Sequence, residues 1–294
     1  MLIGGHVSPA GGLPNALVRG EEIGAEAIQI FHQSPRAWRP TNHRPEQIAE
    51  FVEKLGTGSV KAVAIHAVYL INCASKDPVI REKSIASLTH ALRLGDAIGA
   101  AGVVLHPGST VGEPHDEAMR RAADAFGQAL AESERCPLLL EDTAGAGNTL
   151  GRSFEELAEL IDLAGGDRRL GLCLDCCHML ASGFDITTID KLTGVIDDCV
   201  RIVGLDRLGC LHINDSQTPL GSGRDRHADI PDGELGERGI SAFLSEPRFE
   251  SLPALLETPG PSGHGPDSSQ ITTARRLRRK GLAARTRRAR TAAG

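Results

Sequence analysis

Apolar segments that favour β-strands alternate with segments of helical periodicity along most of the chain. Eight short apolar runs read as buried strands. They are Leu2–His6, Ala27–Phe31, Ala62–His66, Val103–His106, Pro137–Glu141, Leu170–Asp175, Leu208–His212 and Pro253–Glu257. Helical patterns lie between several of them, at Pro78–Ile98, His115–Ser133, Ser153–Leu163 and Thr187–Val203. This alternation predicts an α/β fold of the (β/α)₈ TIM-barrel class.

The alternative architecture is an open, doubly wound sheet. That sheet would leave the polar residues at the strand ends without a common centre, so we favour the barrel. No Gly/Ser linker or low-complexity divider interrupts residues 1–258, which we therefore treat as one domain. For residues 259–294 we expect a loop, a weak terminal helix and a basic, disordered end, because few apolar residues there have helical spacing.

Potential metal ligands stand at the ends of six neighbouring predicted strands. These residues are His66, His106, Glu141, Asp175 with His178, His212 and Glu257. The GRDRH segment adds Asp225 and His227. In a (β/α)₈ barrel the carboxyl ends of all strands meet on one face, where the loops build the active site. The sequence therefore predicts a metal site on that face.

Taken singly, each of these residues has an ordinary structural explanation. A histidine at a strand end is often a hydrogen-bonded structural residue, and an Asp or Glu there often caps a helix. Nine such groups crowded together would repel and desolvate one another unless cations neutralised them. Imidazoles and carboxylates suit Zn²⁺, Mn²⁺ or Fe²⁺, and nine ligands suffice for two or three ions. Paired ions favour a hydrolase acting on a phosphate ester.

The charge of the chain is unevenly distributed. The formal net charge is −6, and the chain from Arg275 onward holds nine Lys or Arg and no acid, so residues 1–274 carry −15. An acidic body argues against gripping nucleic acid by bulk positive charge, but it suits a body whose carboxylates hold cations. No apolar run approaches the ~20 residues of a membrane span, and we see no signal peptide. We expect a cytoplasmic monomer without a membrane partner.

Seven cysteines, an odd number mostly within apolar runs, indicate reduced thiols rather than a disulfide framework. Cys173 and Cys176 form a CxxC pair, which also allows a redox or zinc-finger interpretation. No second ligand pair follows at finger spacing, and Cys173 lies inside a predicted strand. We therefore favour a packing role for these two thiols.

Eight motifs across residues 1–258 resemble the endonuclease IV family, the metal-dependent apurinic/apyrimidinic endonucleases. They are GGHVSPAGGL (Gly4–Leu13), PRAW (Pro35–Trp38), HAVYLIN (His66–Asn72), LHPGS (Leu105–Ser109), EDTAGAGNTLG (Glu141–Gly151), LDCCHMLASGFD (Leu174–Asp185), HINDSQTPLGSGRDRH (His212–His227) and LLET (Leu255–Thr258). The Glu141–Gly151 and His212–His227 segments are the most specific. Two residues within these motifs, Arg36 and Tyr69, resemble the residues of the family's DNA-penetrating loops.

The resemblance implies a trinuclear zinc site on a TIM barrel, with Mn²⁺ as the alternative ion at one or more positions. The first ion would be held by His66, His106 and Glu141; the second by Glu141, Asp175, His212 and Glu257; the third by His178, Asp225 and His227. Glu141, shared by two ions, would be the catalytic carboxylate. The partner would be double-stranded DNA containing abasic sites, cut on their 5′ side to leave a 3′-hydroxyl. The resemblance also allows trimming of 3′ ends.

Two residues depart from the family pattern. Asp142 stands where the family usually has Asn, and Val68 replaces a small polar residue before Tyr69. Two other functions stay open at this point. A sugar isomerase or epimerase would use Glu141, Asp175, His212 and Glu257 around a single ion, which would leave the other five ligands without a role. A non-catalytic DNA-binding module is disfavoured by the acidic body.

Overall fold

Eight parallel strands close into a barrel, as predicted from the alternating pattern. The structure, a computed structural model, describes residues 1–292. Around the barrel the strands follow their order along the chain, with the last strand pairing with the first. They are β1 Leu2–His6, β2 Ala27–Phe31, β3 Ala62–His66, β4 Gly102–Leu105, β5 Leu138–Glu141, β6 Leu170–Asp175, β7 Leu208–Ile213 and β10 Pro253–Leu256. The TIM-barrel prediction is confirmed.

Helices follow the strands along the chain. They are α1 Asn15–Glu22, α2 Pro45–Thr57, α3 Pro78–Ile98, α4 His115–Ala131, α5 Phe154–Leu163, α6 Cys176–Ser182, α7 Ile189–Ile202, α8 Gly236–Leu244 and α9 Ser268–Ala292. A small antiparallel pair, β8 Asp215–Ser216 and β9 His227–Ala228, follows β7. The predicted helix Pro78–Ile98 has the observed bounds, because Asp77 caps its first turn and Gly99 ends it in the left-handed conformation.

The inward-facing side chains form layers, because alternate residues of a strand face the barrel interior. One apolar layer fills the middle of the barrel. It consists of Ala27, Ala64, Val104, Leu139, Cys173, Cys210 and Leu255. A polar layer lies above it, formed by the residue two positions later in each strand or just after its end. It consists of Gln29, His66, His106, Glu141, Asp175, His212 and Glu257. The period of the strands therefore places six of the predicted ligands in one layer at the carboxyl end of the barrel.

β1 and β2 approach each other closely at Gly4. A Cβ on Gly4 would lie 1.5 Å from the carbonyl oxygen of Ala27. Only glycine fits at this position, so the pairing of these two strands depends on it. The same pairing places His6 and Gln29 side by side near the carboxyl end of the barrel, since these two residues are register partners.

The C-terminal segment differs from the expectation. Instead of a weak helix with a disordered end, residues Ser268–Ala292 form one helix that packs against α8. Ile271, Ala274 and Leu277 are buried, and basic residues of α9 form ion pairs with Glu237, Glu246 and Asp190 of the acidic body. Few apolar residues suffice because alanine and arginine favour helix and the ion pairs add contacts along its length. The domain boundary at residue 258 stays a prediction, and residues 293–294 lie outside the described range.

Candidate metal centre

Glu141, at the end of β5, lies at the middle of the polar layer and is completely buried. Its Oε2 faces the Nε2 atoms of His66 and His106, at 3.3 and 3.1 Å. Its Oε1 faces Nδ1 of His212 at 2.9 Å and Nδ1 of His178 at 3.3 Å. One carboxylate therefore lies between four imidazoles that come from four different parts of the chain.

Within residues 1–292, five groups of side chains have donor atoms that all lie within 4.8 Å of one another, and three of the five consist of His, Asp and Glu alone. These three are His66, His106 and Glu141; Glu141, Asp175, His212 and Glu257; and His178, Asp225 and His227. These are the three ligand sets that the family resemblance implies. The structure thus brings together all nine predicted ligands, while their binding of metal stays a prediction.

Asp175 combines the two functions that its position at a strand end allows. Its Oδ1 accepts hydrogen bonds from the backbone N–H groups of Cys177 and His178 and so caps α6. Its Oδ2 faces the centre, 3.8 Å from both His212 Nδ1 and His227 Nε2. The cap brings His178 into the first turn of α6, which explains the spacing of three residues between these two ligands.

Asp225 and His227 reach the centre from a loop that the small β8–β9 ladder closes. Ser216 pairs with His227 across this ladder, which returns the chain to the barrel mouth. The two carboxylate oxygens of Asp225 then lie 3.2 Å from His178 Nε2 and 3.1 Å from His227 Nε2. This third group is more exposed than the other two, because the side chain of Asp225 is 45% accessible.

Hydrogen bonds on the outer side of the imidazoles determine which nitrogen faces inward. Nδ1 of His66 lies 2.6 Å from the carbonyl oxygen of Ala67, and Nδ1 of His178 lies 2.9 Å from that of Asp142. Since a carbonyl only accepts, each Nδ1 carries the proton and each Nε2 presents a lone pair to the centre. This arrangement is typical of histidines that bind metal ions.

The donor set fits divalent cations. Within residues 1–292, His66 Nε2, Glu141 Oε2 and His227 Nε2 are buried and have no hydrogen-bond partner of acceptable geometry. Lone pairs of imidazole and carboxylate facing each other at about 3 Å repel unless a proton or a cation lies between them. Nitrogen and carboxylate oxygen donors in this mixture suit Zn²⁺ and Mn²⁺.

The pKa values of the candidate ligands reflect the same need for positive charge. Burial alone would lower the pKa of the His212 imidazole, but Glu257 and Glu141 raise it well above its ordinary value. Burial likewise opposes ionisation of Glu141, yet His212 and the other imidazoles hold its pKa well below the usual range. Protons on the imidazoles thus take the place that cations would occupy, so metal binding would have to displace them.

The two residues predicted to contact DNA lie near the mouth of the barrel or in a loop beside it. Tyr69 follows β3; its side chain is 62% exposed, and its ring centroid lies 5.3 Å from that of His66 and 5.9 Å from that of His106. Arg36 is exposed in the loop that follows β2. Tyr69 therefore borders the centre directly, and the DNA contacts of both residues stay predictions.

Two buried amides that the sequence reasoning missed connect the ligands of the second group. Gln29 donates to Glu257 Oε1 at 2.6 Å and lies 2.9 Å from His212 Nε2. Asn214 donates to Asp175 Oδ2 at 2.6 Å and accepts from the backbone N–H of Glu257 at 3.0 Å. A polar residue at an inward position of the apolar strand Ala27–Phe31 was the available signal for Gln29.

A closed (β/α)₈ barrel with buried His and carboxylate groups at its carboxyl end is typical of metal-dependent barrel enzymes. A sequence profile of the family described as "Xylose isomerase-like TIM barrel" matches residues 18–280. The probable endonuclease 4 of Halothermothrix orenii is 37% identical over 277 residues, which are 94% of this chain and 100% of the relative. The crystal structure of endonuclease IV from Thermus thermophilus has a TM-score of 0.82 and 36% identity, covering 97% of this chain and 100% of that one.

The chain belongs to the endonuclease IV family. It is accordingly a DNA-cleaving hydrolase, as the motifs led us to expect. A D-tagatose 3-epimerase-like protein also shares the barrel, with a TM-score of 0.70 at 16% identity, and this likeness concerns the fold alone. No helix within residues 1–292 combines the length and the apolar character that crossing a membrane would require.

Proposed function

We propose that this endonuclease acts in DNA repair by hydrolysing the phosphodiester on the 5′ side of abasic sites in double-stranded DNA. The products would be a strand with a 3′-hydroxyl and one beginning with the abasic residue. The cofactor would be three Zn²⁺ ions, with Mn²⁺ as the alternative at one or more positions. The observation that carries the proposal is the convergence of three donor groups on the fully buried Glu141 and its neighbours.

Each ligand group would hold one ion. His66 and His106 would share Glu141 with the group of Asp175, His212 and Glu257, while His178, Asp225 and His227 would form the third position. Ions so held would activate water and stabilise the charge that develops on the phosphate and on the leaving oxygen. A buried carboxylate common to two groups is a catalytic residue in this proposal, because it would fix the separation of two ions.

Side chains at the barrel mouth would deliver the substrate to these groups. The reactive phosphate of a duplex cannot enter a narrow barrel end while its nucleotide stays stacked, so the abasic nucleotide would have to leave the stack. Tyr69, an exposed ring beside His66 and His106, and Arg36 on the neighbouring loop are suited to fill the gap that remains. An abasic nucleotide has no base to unpair, which favours its extrusion over that of an intact one.

An incision assay tests the proposal. The full chain loaded with Zn²⁺ is incubated with a duplex that carries one tetrahydrofuran abasic analogue. We expect a single cut 5′ to the analogue, a product that a polymerase can extend, and loss of activity after chelation. An intact substrate after loading with Zn²⁺ or Mn²⁺ would refute the proposal.

One observation favours a second candidate, a sugar isomerase or epimerase with one ion. Glu141, Asp175, His212 and Glu257 alone form a complete four-ligand group. Elemental analysis of the purified chain separates the two functions. About three ions per chain are expected for the nuclease, whereas about one ion together with ketose turnover would support the isomerase.

A further inference from the structure

Gln29 lies in the middle of β2, a strand whose other residues are apolar, and its side chain is completely buried. Three polar atoms of the candidate metal centre and its edge surround the amide. Nε2 lies 2.6 Å from Glu257 Oε1 and 3.2 Å from His6 Nδ1, and Oε1 lies 2.9 Å from His212 Nε2. Burying an amide is costly unless such bonds are made, so its contacts define its role.

The chemistry of the neighbours determines how the amide is oriented. An ionised carboxylate only accepts hydrogen bonds, so the NH₂ group of Gln29 must face Glu257. Its carbonyl oxygen then faces His212 and can only accept the Nε2 proton of that imidazole. With the proton on Nε2, the neutral ring presents its Nδ1 lone pair towards Glu141 and Glu257, whose oxygens lie 2.9 and 3.3 Å from that atom.

We infer that Gln29 is a positioning residue of the metal centre, which sets the tautomer of His212 and the orientation of the Glu257 carboxylate through one amide. The inference rests on the proposed metal centre and deepens it. His212 is inverted relative to the neighbouring imidazoles, since His66 and His178 present Nε2 instead of Nδ1.

The hydrogen bond between His212 and Gln29 can be removed by substitution, because its acceptor belongs to a side chain. For His66 and His178 the outer acceptor is a backbone carbonyl, which no substitution at that residue removes. For His212 the outer acceptor is the Gln29 side chain. Partners of this kind typically contribute 10- to 100-fold to metal affinity, so we expect about that loss when the amide is removed.

Two substitutions separate the two contacts. Gln29→Met keeps the length of the side chain and removes both. Gln29→Glu keeps an acceptor for His212 but replaces the donor to Glu257 by a second negative charge. Gln29→Met should therefore leave the Nε2 proton of His212 without its acceptor, whereas Gln29→Glu should keep that hydrogen bond, and both should bind metal more weakly than the wild type.

The measurements are metal retention and histidine spectroscopy on the Zn²⁺-loaded full chain. Competition with a graded series of chelators gives the affinity of each ion, and ¹⁵N–¹H correlation spectra show, from chemical shift and exchange with water, whether the Nε2 proton of His212 is hydrogen-bonded. We expect one ion to bind about 10- to 100-fold more weakly in Gln29→Met. We also expect kcat for incision to fall with little change in KM, because the buried amide does not reach DNA.

Gln270→Met is the matched control. Gln270 is also buried and accepts one hydrogen bond from the backbone N–H of Ile230, but it belongs to α9. This variant should lose stability while keeping the metal content and the His212 spectrum of the wild type.

The outcomes distinguish this inference from the proposed function. If the wild type binds its ions and Gln29→Met binds them equally, with the chemical shift and exchange rate of the His212 Nε2 proton unchanged, the inference is wrong and the metal centre stands. If the wild type itself retains no metal, the proposed function fails. If Gln29→Met does not fold, Gln29→Glu decides: unchanged metal affinity there also overturns the inference.

Discussion

Replacing Glu141 by Gln should remove metal from two positions at once while preserving the fold. The substitution conserves volume in a side chain with no exposed surface, so no cavity arises. It removes a negative charge whose oxygens lie 2.9 to 3.3 Å from nitrogens of His66, His106 and His212, around which two ions would bind. It also turns an NH₂ group towards one pair of those nitrogens.

The magnitude follows from Coulomb's law. Two unit charges 4 Å apart at an effective dielectric constant of 20 interact by about 4 kcal/mol. Losing this interaction weakens the binding of an ion by about three orders of magnitude, since about 1.4 kcal/mol corresponds to a factor of ten. Because Glu141 belongs to two donor groups, we expect Glu141→Gln to retain one ion or fewer after dialysis and to lose most of its activity.

The assay combines elemental analysis, incision of the abasic duplex and circular dichroism. Glu156→Gln serves as the matched control. This glutamate, in the first turn of α5, is also buried, but it accepts hydrogen bonds from the backbone N–H groups of Gly151 and Arg152. The control should keep its metal and its rate. A folded Glu141→Gln variant with the full complement of ions and the wild-type rate would refute the reasoning.

Three further predictions concern the barrel mouth, the departure from the family pattern and the terminal helix. Tyr69→Ala should weaken binding to an abasic duplex by about 5- to 150-fold, corresponding to about 1–3 kcal/mol of stacking, with unchanged metal content; fluorescence anisotropy that detects no difference would contradict this role. Burial raises the pKa of Asp142 well above its ordinary value. Because the folded protein then holds this proton more tightly than the unfolded chain, Asp142 destabilises the fold as the pH rises above about 3.9, the pKa of Asp in the unfolded chain. Asp142→Asn should therefore gain stability over the wild type in urea unfolding of the chelated protein, little at pH 4 and about 1–3 kcal/mol at pH 8; a gain independent of pH would argue against this cause. Leu277→Ala should cost about 2–5 kcal/mol because Leu277 is buried, whereas Leu282→Ala, at a side chain 37% exposed, should cost far less; equal and small losses would mean that α9 does not pack on the barrel.

The strand pattern and the position of polar residues at strand ends sufficed to predict the barrel and the gathering of nine side chains. Glu141 and His212 could be identified because each ends a predicted apolar strand, two residues after an inward-facing residue of the apolar layer. The closed barrel brings such positions into a single layer. Gln29 occupies the same layer but was overlooked, because a single amide within Ala27–Phe31 has no metal-binding chemistry of its own. Its importance depends on distances to Glu257 and His212, which are more than 180 residues away in the chain.

A weak terminal helix was predicted, but its full length was not, for a different physical reason. Its buried face consists of few residues, among them Ile271, Ala274 and Leu277, so the periodicity of the segment is weak. Its remaining contacts are ion pairs between arginines of the helix and acids from distant parts of the body, such as Glu246 and Asp190. Complementary charge between two segments is visible in the sequence, but the pairing of individual residues is not.

The layers of the barrel also explain the CxxC pair within the segment that contributes Asp175 and His178. Cys173 faces the barrel interior one layer below Asp175, opposite Cys210 of β7, while the thiol of Cys176 donates to the carbonyl oxygen of Asn214. The two cysteines of the motif thus have different surroundings, and all seven cysteines are free and buried. A redox pair needs an accessible thiol of lowered pKa, whereas burial raises the pKa of Cys173 and Cys176 well above the ordinary value. Both thiols are packed in the interior, which argues against disulfide exchange at this strand end and agrees with the metal binding that we propose there.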